Sequence, residues 1–245
     1  MPELRDDPSA RRTDRVGHSG PARECLFAVH ARIAAAAVEL ADREGLDAVT
    51  MRRLAGELGV APMAAYRYVT GKDELLELMA DFVYGEVRRP DSEAEDWRSA
   101  LRGLAVRIRT VRLRHPWLSR AALHGPTPNQ LVAPEEGLAA LHGLGPGPGL
   151  DADLTMAVFR TVTAYVDGSV DAELALRQMR EERGWTSGQD SRAALAPRMA
   201  WLMSTGRYPH FERYLHEGTR KDDPDWQFET GLDCVLDGIA ARMGI

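Results

Sequence analysis

The chain has 245 residues and a mass of 27.1 kDa, with 44% hydrophobic and 28% charged residues, a balance that fits a globular protein with a substantial core. A net charge of −6 and a pI near 5.7 exclude a protein that coats nucleic acid by bulk charge, but they leave room for a local basic face. No apolar run reaches the length of a membrane span, the N-terminal stretch lacks the apolar core of a secretory signal, and Cys25 and Cys234 are too isolated for a zinc site. The cysteines read as reduced thiols of a cytoplasmic protein.

Residues 1–24 mix Arg, Asp, Ser, Pro and Gly and read as a disordered arm. From Leu26 the apolar residues Val29, Ile33, Ala37, Val38, Leu40 and Ala41 recur at helical spacing until Gly45. Thr50 stands as an N-cap before a second helix through Met51, Leu54, Ala55 and Leu58, which Gly59 ends. A third, very short helix is predicted from Pro62 or Met63 to Val69, and a fourth from Lys72 to Val87, with Leu75, Leu76, Met79, Phe82 and Val83 inward.

Pro90 to Asp96 reads as a linker. Further helices are predicted from Trp97 to His115, over 130–143, over 151–180, over 193–205, from Phe211 to Leu215 and from Trp226 to Met243. The GLGPGPG run at 143–149 and the polar stretch 184–192 read as loops. No segment alternates as a strand does. The predicted fold is all-α: a small helix-turn-helix domain over 25–89, whose fourth helix leads to a larger helical domain over 96–245.

Function concentrates in residues 31–79. A helix, a glycine turn and a very short second helix form the unit that presents side chains to a major groove. The short helix carries Tyr66, Arg67 and Tyr68 in succession, and three large polar-tipped residues in a row cannot all face a core. Arg52, Arg53 and Lys72 lie close by in sequence, while the acids Glu39, Asp42, Glu44, Glu77, Asp81 and Glu86 fall on the first and fourth helices. The chain shows no HExxH, GxSxG, P-loop or dinucleotide fingerprint, so an enzyme is not expected. A helical protein-interaction module without operator binding is the alternative reading. Arg98, Arg102, Arg107, Arg109, Arg112, Arg114 and Arg120 share no single face and read as a solvated surface.

Residues 29–79 resemble the DNA-binding domain of the tetracycline-repressor (TetR) family, through VTMRRLAGELGV, AYRYV and GKDELL. RHPWL, YVDGSVDAE and FETGLDCVLDGI resemble the C-terminal domain of the tetracycline-repressor subgroup. The resemblance implies a homodimeric repressor released from a palindromic operator, double-stranded DNA, by a small effector. It places Arg52, Pro62, Met63, Ala64, Tyr66, Arg67, Tyr68 and Lys72 at or near DNA.

It also implies pairing with a second copy through the helices over 151–180 and 226–243, by Phe159, Val162, Val166, Phe228, Leu232, Val235, Leu236 and Ile239. His115, Trp117, Leu123, Met156, Phe159, Thr163 and Trp185 are the candidate lining of the effector chamber. That subgroup holds a magnesium-chelated drug through a histidine and a glutamate. In RAALHGPTPNQLVAPEEG the nearest residue, His124, stands out of register. A largely apolar effector with no metal and no cofactor is therefore expected.

Overall fold

The computed structural model describes residues 21–88, 96–121, 126–142 and 150–244. Ten α-helices and no strand are found among them. In the first half these are α1 (Pro21–Glu44), α2 (Met51–Glu57), α3 (Pro62–Ala65), α4 (Lys72–Tyr84) and α5 (Trp97–Arg114). The second half holds α6 (Val132–Leu141), α7 (Ala152–Arg183), α8 (Gly188–Ser204), α9 (Pro209–Glu217) and α10 (Pro224–Met243). Short 3₁₀ turns follow α1, α4 and α5 (the last is Pro116–Arg120), and another, Asn129–Leu131, precedes α6.

Helices α1 to α4 pack together as a small head. Ala37, Leu40, Leu54, Val69, Leu75 and Met79 are buried between α1, α2 and α4. Phe82 stays exposed rather than inward. Thr50 caps α2 by accepting from the Arg53 N–H at 3.3 Å. Gly59 takes a left-handed φ of 67° to turn the chain toward α3.

The body packs α5 against α6 and α7, and α7 against α10, around Leu101, Leu104, Val158, Val162, Val166, Phe228, Leu232 and Leu236. Gly137 of α6 lets the Phe159 ring lie against it, where a Cβ would sit 2.3 Å from the ring. Of the arginines expected to form a solvated surface, Arg114 and Arg120 do stay exposed, but the other five do not. Arg98 and Arg102 reach Asp233 of α10, and Arg107 reaches Glu136. Arg109 bridges Glu173 and Asp225 at 2.9 and 2.8 Å, and Arg112 bridges Asp167 and Asp171. These acids lie on other helices, so the five guanidiniums tie α5 to α6, α7 and α10.

The stretch 184–192 is also more ordered than a loop. Ser187 and Asp190 form a capping box that starts α8 at Gly188. Helices α8 and α9 bury little of themselves. Trp201, Phe211 and Tyr214 are 66%, 48% and 47% exposed.

Candidate nucleic-acid interface and its body

Helix α3 spans only Pro62–Ala65, and Tyr66, Arg67 and Tyr68 follow it as a turn. Its backbone is held by Ala64 and Tyr66 N–H groups that reach back to the Ala61 and Pro62 carbonyls. With almost no apolar surface of its own, it is supported from behind by α2, and it leaves Pro62, Met63, Tyr66, Arg67 and Tyr68 exposed, Met63 by 75%. Ala64 is half-buried and lines a small apolar cleft with Leu58, Val60, Ile33 and the inner edge of Tyr68. The Tyr68 carbonyl accepts from His30 of α1 at 3.1 Å.

The two arginines that open α2 differ. Arg53 is bound to both oxygens of Glu44 at 2.6 Å, and this pairing holds the Glu44 carboxyl below its usual range. Arg52 is exposed and has no ion-pair partner among the described residues. Arg67 and Lys72 are exposed and equally uncommitted.

The turn before Lys72 is fixed by Glu74. Its carboxylate accepts from the Thr70 N–H at 2.6 Å and the Thr70 hydroxyl at 2.7 Å. Those bonds, the backbone one first, lower the Glu74 pKa against a smaller opposing effect of burial. Only the threonine–glutamate spacing hints at this clamp in the sequence.

The structure redistributes the candidates for the effector chamber. His115 and Trp117 are buried at the head–body joint, where both reach Oδ1 of Asp42 on α1, each at 2.8 Å. They are thus committed to holding the domains together. Leu123 lies outside the described residues. Met156, Phe159 and Thr163 share one face of α7 beside α6, with Phe159 buried and the Thr163 hydroxyl turned to its own helix backbone. Trp185 follows the far end of the 32-residue α7, about 40 Å along the axis from Met156, so one chain cannot bring it to that face.

The residues expected to pair with a second copy also prove internal. Phe159, Val162, Val166, Phe228, Leu232, Leu236 and Ile239 are buried within one chain, and Val235 is packed against them. They are the large apolar side chains that close α7 onto α10. The faces of these helices left exposed carry small residues instead: Ala157, Thr161, Ala164, Gly168 and Ala172 on α7, and Thr230, Cys234, Gly238 and Ala241 on α10.

Residues 33–79 match the profile of "Bacterial regulatory proteins, tetR family", and residues 89–243 that of "Tetracyclin repressor-like, C-terminal domain". The chain is 35% identical to the HTH-type transcriptional repressor DrrR1 of Streptomyces coeruleorubidus, over 85% of this chain and 76% of that one. It is 30% identical to the class A tetracycline repressor of transposon 1721 from Escherichia coli, over 84% and 88%. The structure of ActR of Streptomyces coelicolor in complex with actinorhodin aligns with a TM-score of 0.67 at 29% identity, covering 88% of this chain and 96% of that one. The chain therefore belongs to the tetR family of bacterial transcriptional regulators, with a tetracycline-repressor-like C-terminal domain.

Proposed function

We infer that this protein is a ligand-responsive transcriptional repressor, which binds a palindromic operator as a homodimer and leaves it when a small, largely apolar molecule enters the body. One observation carries the DNA half of this reading. Arg52, Arg67 and Lys72 stand exposed, without ion-pair partners among the described residues, beside the exposed Tyr66 and Tyr68, whereas most α5 arginines are spent on acids within the fold. Free guanidinium, ammonium and phenol groups suit phosphates and base edges. Tyr66 and Lys72 are assigned to phosphates, and Pro62, Met63 and Ala64 to apolar contact with thymine methyls. No catalytic role is assigned, and the protein acts in the cytoplasm, where its operator lies.

The head comprises residues 25–89 and the body residues 96–245. A helix as short as α3 reads few base pairs, so two copies are needed for useful affinity. The small-residue faces of α7 and α10 are the surfaces proposed to meet the second copy, since such faces allow helices to approach closely. The open aromatic side chains of α8 and α9 support a partner there, because exposed apolar surface of that extent is unusual on a monomer. The effector is assigned to the α6–α7 side of the body, around Met156, Phe159 and Thr163. The structure of ActR in complex with actinorhodin supports an effector site in a body of this fold.

Fluorescence anisotropy on duplex DNA from upstream of the protein's own gene tests this reading. Binding is expected to weaken steeply with salt as counterions are released. The double variant Tyr66→Phe, Lys72→Ala should lose affinity while remaining dimeric. A salt-independent constant, or an unchanged one in the double variant, rejects it.

A further inference from the structure

We propose that His115 is a proton-operated latch between the DNA-binding head and the body. The imidazole is 2% exposed and lies where α1, the turn after α4 and the turn after α5 meet. Its Nδ1 is 2.8 Å from Asp42 Oδ1 on α1. An ionised carboxylate can only accept, so Nδ1 carries the proton of the neutral ring. Nε2 is then a bare lone pair. It is buried, has no hydrogen-bond partner, and points at Glu86 Oε1 from 3.6 Å.

Acceptor therefore faces acceptor in the neutral state. A second proton turns Nε2 into a donor, and the ring, carried by the body, then holds two carboxylates of the head, Asp42 on α1 and Glu86 in the turn after α4. Both carboxylates are positioned by other groups: the Trp117 indole N–H donates to Asp42 at 2.8 Å, and Arg114 of α5 pairs with Glu86 at 3.1 Å. Beyond Trp117, a groove of about 560 Å³ separates the end of α1 from Asp171, Arg177 and Glu181 of α7. Two carboxylates against the one guanidinium of Arg114 leave the cluster a charge short, and the protonated ring supplies it. Proton uptake thus stiffens the joint that sets the angle of the head, and His115 acts as a positioning residue through Asp42.

Hydrogen exchange on the full-length protein tests the latch, with rates corrected for the intrinsic pH dependence. Amides of the last turn of α1 and of Pro116–Arg120 are expected to be about fivefold better protected at pH 6 than at pH 8, the effect of one net hydrogen bond. His115→Gln should erase the difference. Should that variant fail to fold, Glu86→Gln decides: its amide both accepts from a protonated ring and donates to a neutral one, so protection should be high at both pH values. His30→Gln, which changes the one described histidine of the head, should keep the difference. Equal protection in the wild type at the two pH values, a difference that survives Glu86→Gln, or one that vanishes in His30→Gln overturns the proposal.

Discussion

Tyr165 of α7 lays its ring on Phe228 of α10, with centroids 5.8 Å apart, and donates its hydroxyl to the Phe228 carbonyl at 2.7 Å. The contact needs Gly231, where a Cβ would lie 2.2 Å from the Tyr165 oxygen. Gly231→Ala should therefore push α7 and α10 apart and cost about 1–3 kcal/mol, despite the gain in helix propensity. Tyr165→Phe, which loses only the hydrogen bond, should cost about 1 kcal/mol. Urea unfolding of both variants checks the order.

The inner and outer faces of α10 should respond differently. Leu232 is fully buried in its own chain, so Leu232→Asp should lose the protomer fold, seen as lost helical circular dichroism. Beyond Gly238 the space is open. Gly238→Trp should therefore keep the helical signal and sediment as a monomer. A dimeric Gly238→Trp would place the interface elsewhere.

Adjacent arginines should separate in the same way. Arg52→Ala should weaken operator binding across sequences and reduce the salt slope by about 1. Arg53 is already held by Glu44, so Arg53→Ala should lower the melting temperature slightly and leave that slope unchanged. Anisotropy titrations between low and moderate salt distinguish the two.

Glu74 gives the head an acid limit. Its folded pKa lies below the ordinary value because Thr70 donates to the carboxylate twice. A depressed carboxylate contributes stability above its unfolded pKa and loses it as pH falls through the folded one. Glu74→Gln should cost about 1 kcal/mol at pH 7 and less at pH 3, on the way down through the lowered folded pKa. Denaturant curves at the two pH values measure the difference.

The features legible in the sequence were those set by near neighbours. Thr50, Gly59 and the short α3 could be read because a cap, a left-handed turn and a run of Tyr-Arg-Tyr each act within a few residues. Ser187 and Asp190 carry the same kind of signal, but the glycine and polar side chains around them masked it. His115 could not be placed, since its partner Asp42 is 73 residues away. The α5 arginines failed similarly, because their acids sit on helices folded back from far along the chain. Which sides of α7 and α10 stay exposed was hidden for another reason. Large apolar side chains such as Leu232 and Phe228 report that they are buried, not what buries them, and the face left over is marked only by small size.

The internal pairing of the α5 arginines also affects how the molecule meets a duplex. With those cations neutralised by acids of the same chain in an acidic protein, the uncommitted Arg52, Arg67 and Lys72 give the α3 end a local positive field. A polyanion is drawn to that end, so collisions that bring it there are favoured before any base is touched. Adding salt would then slow the encounter itself, as well as loosening the bound state.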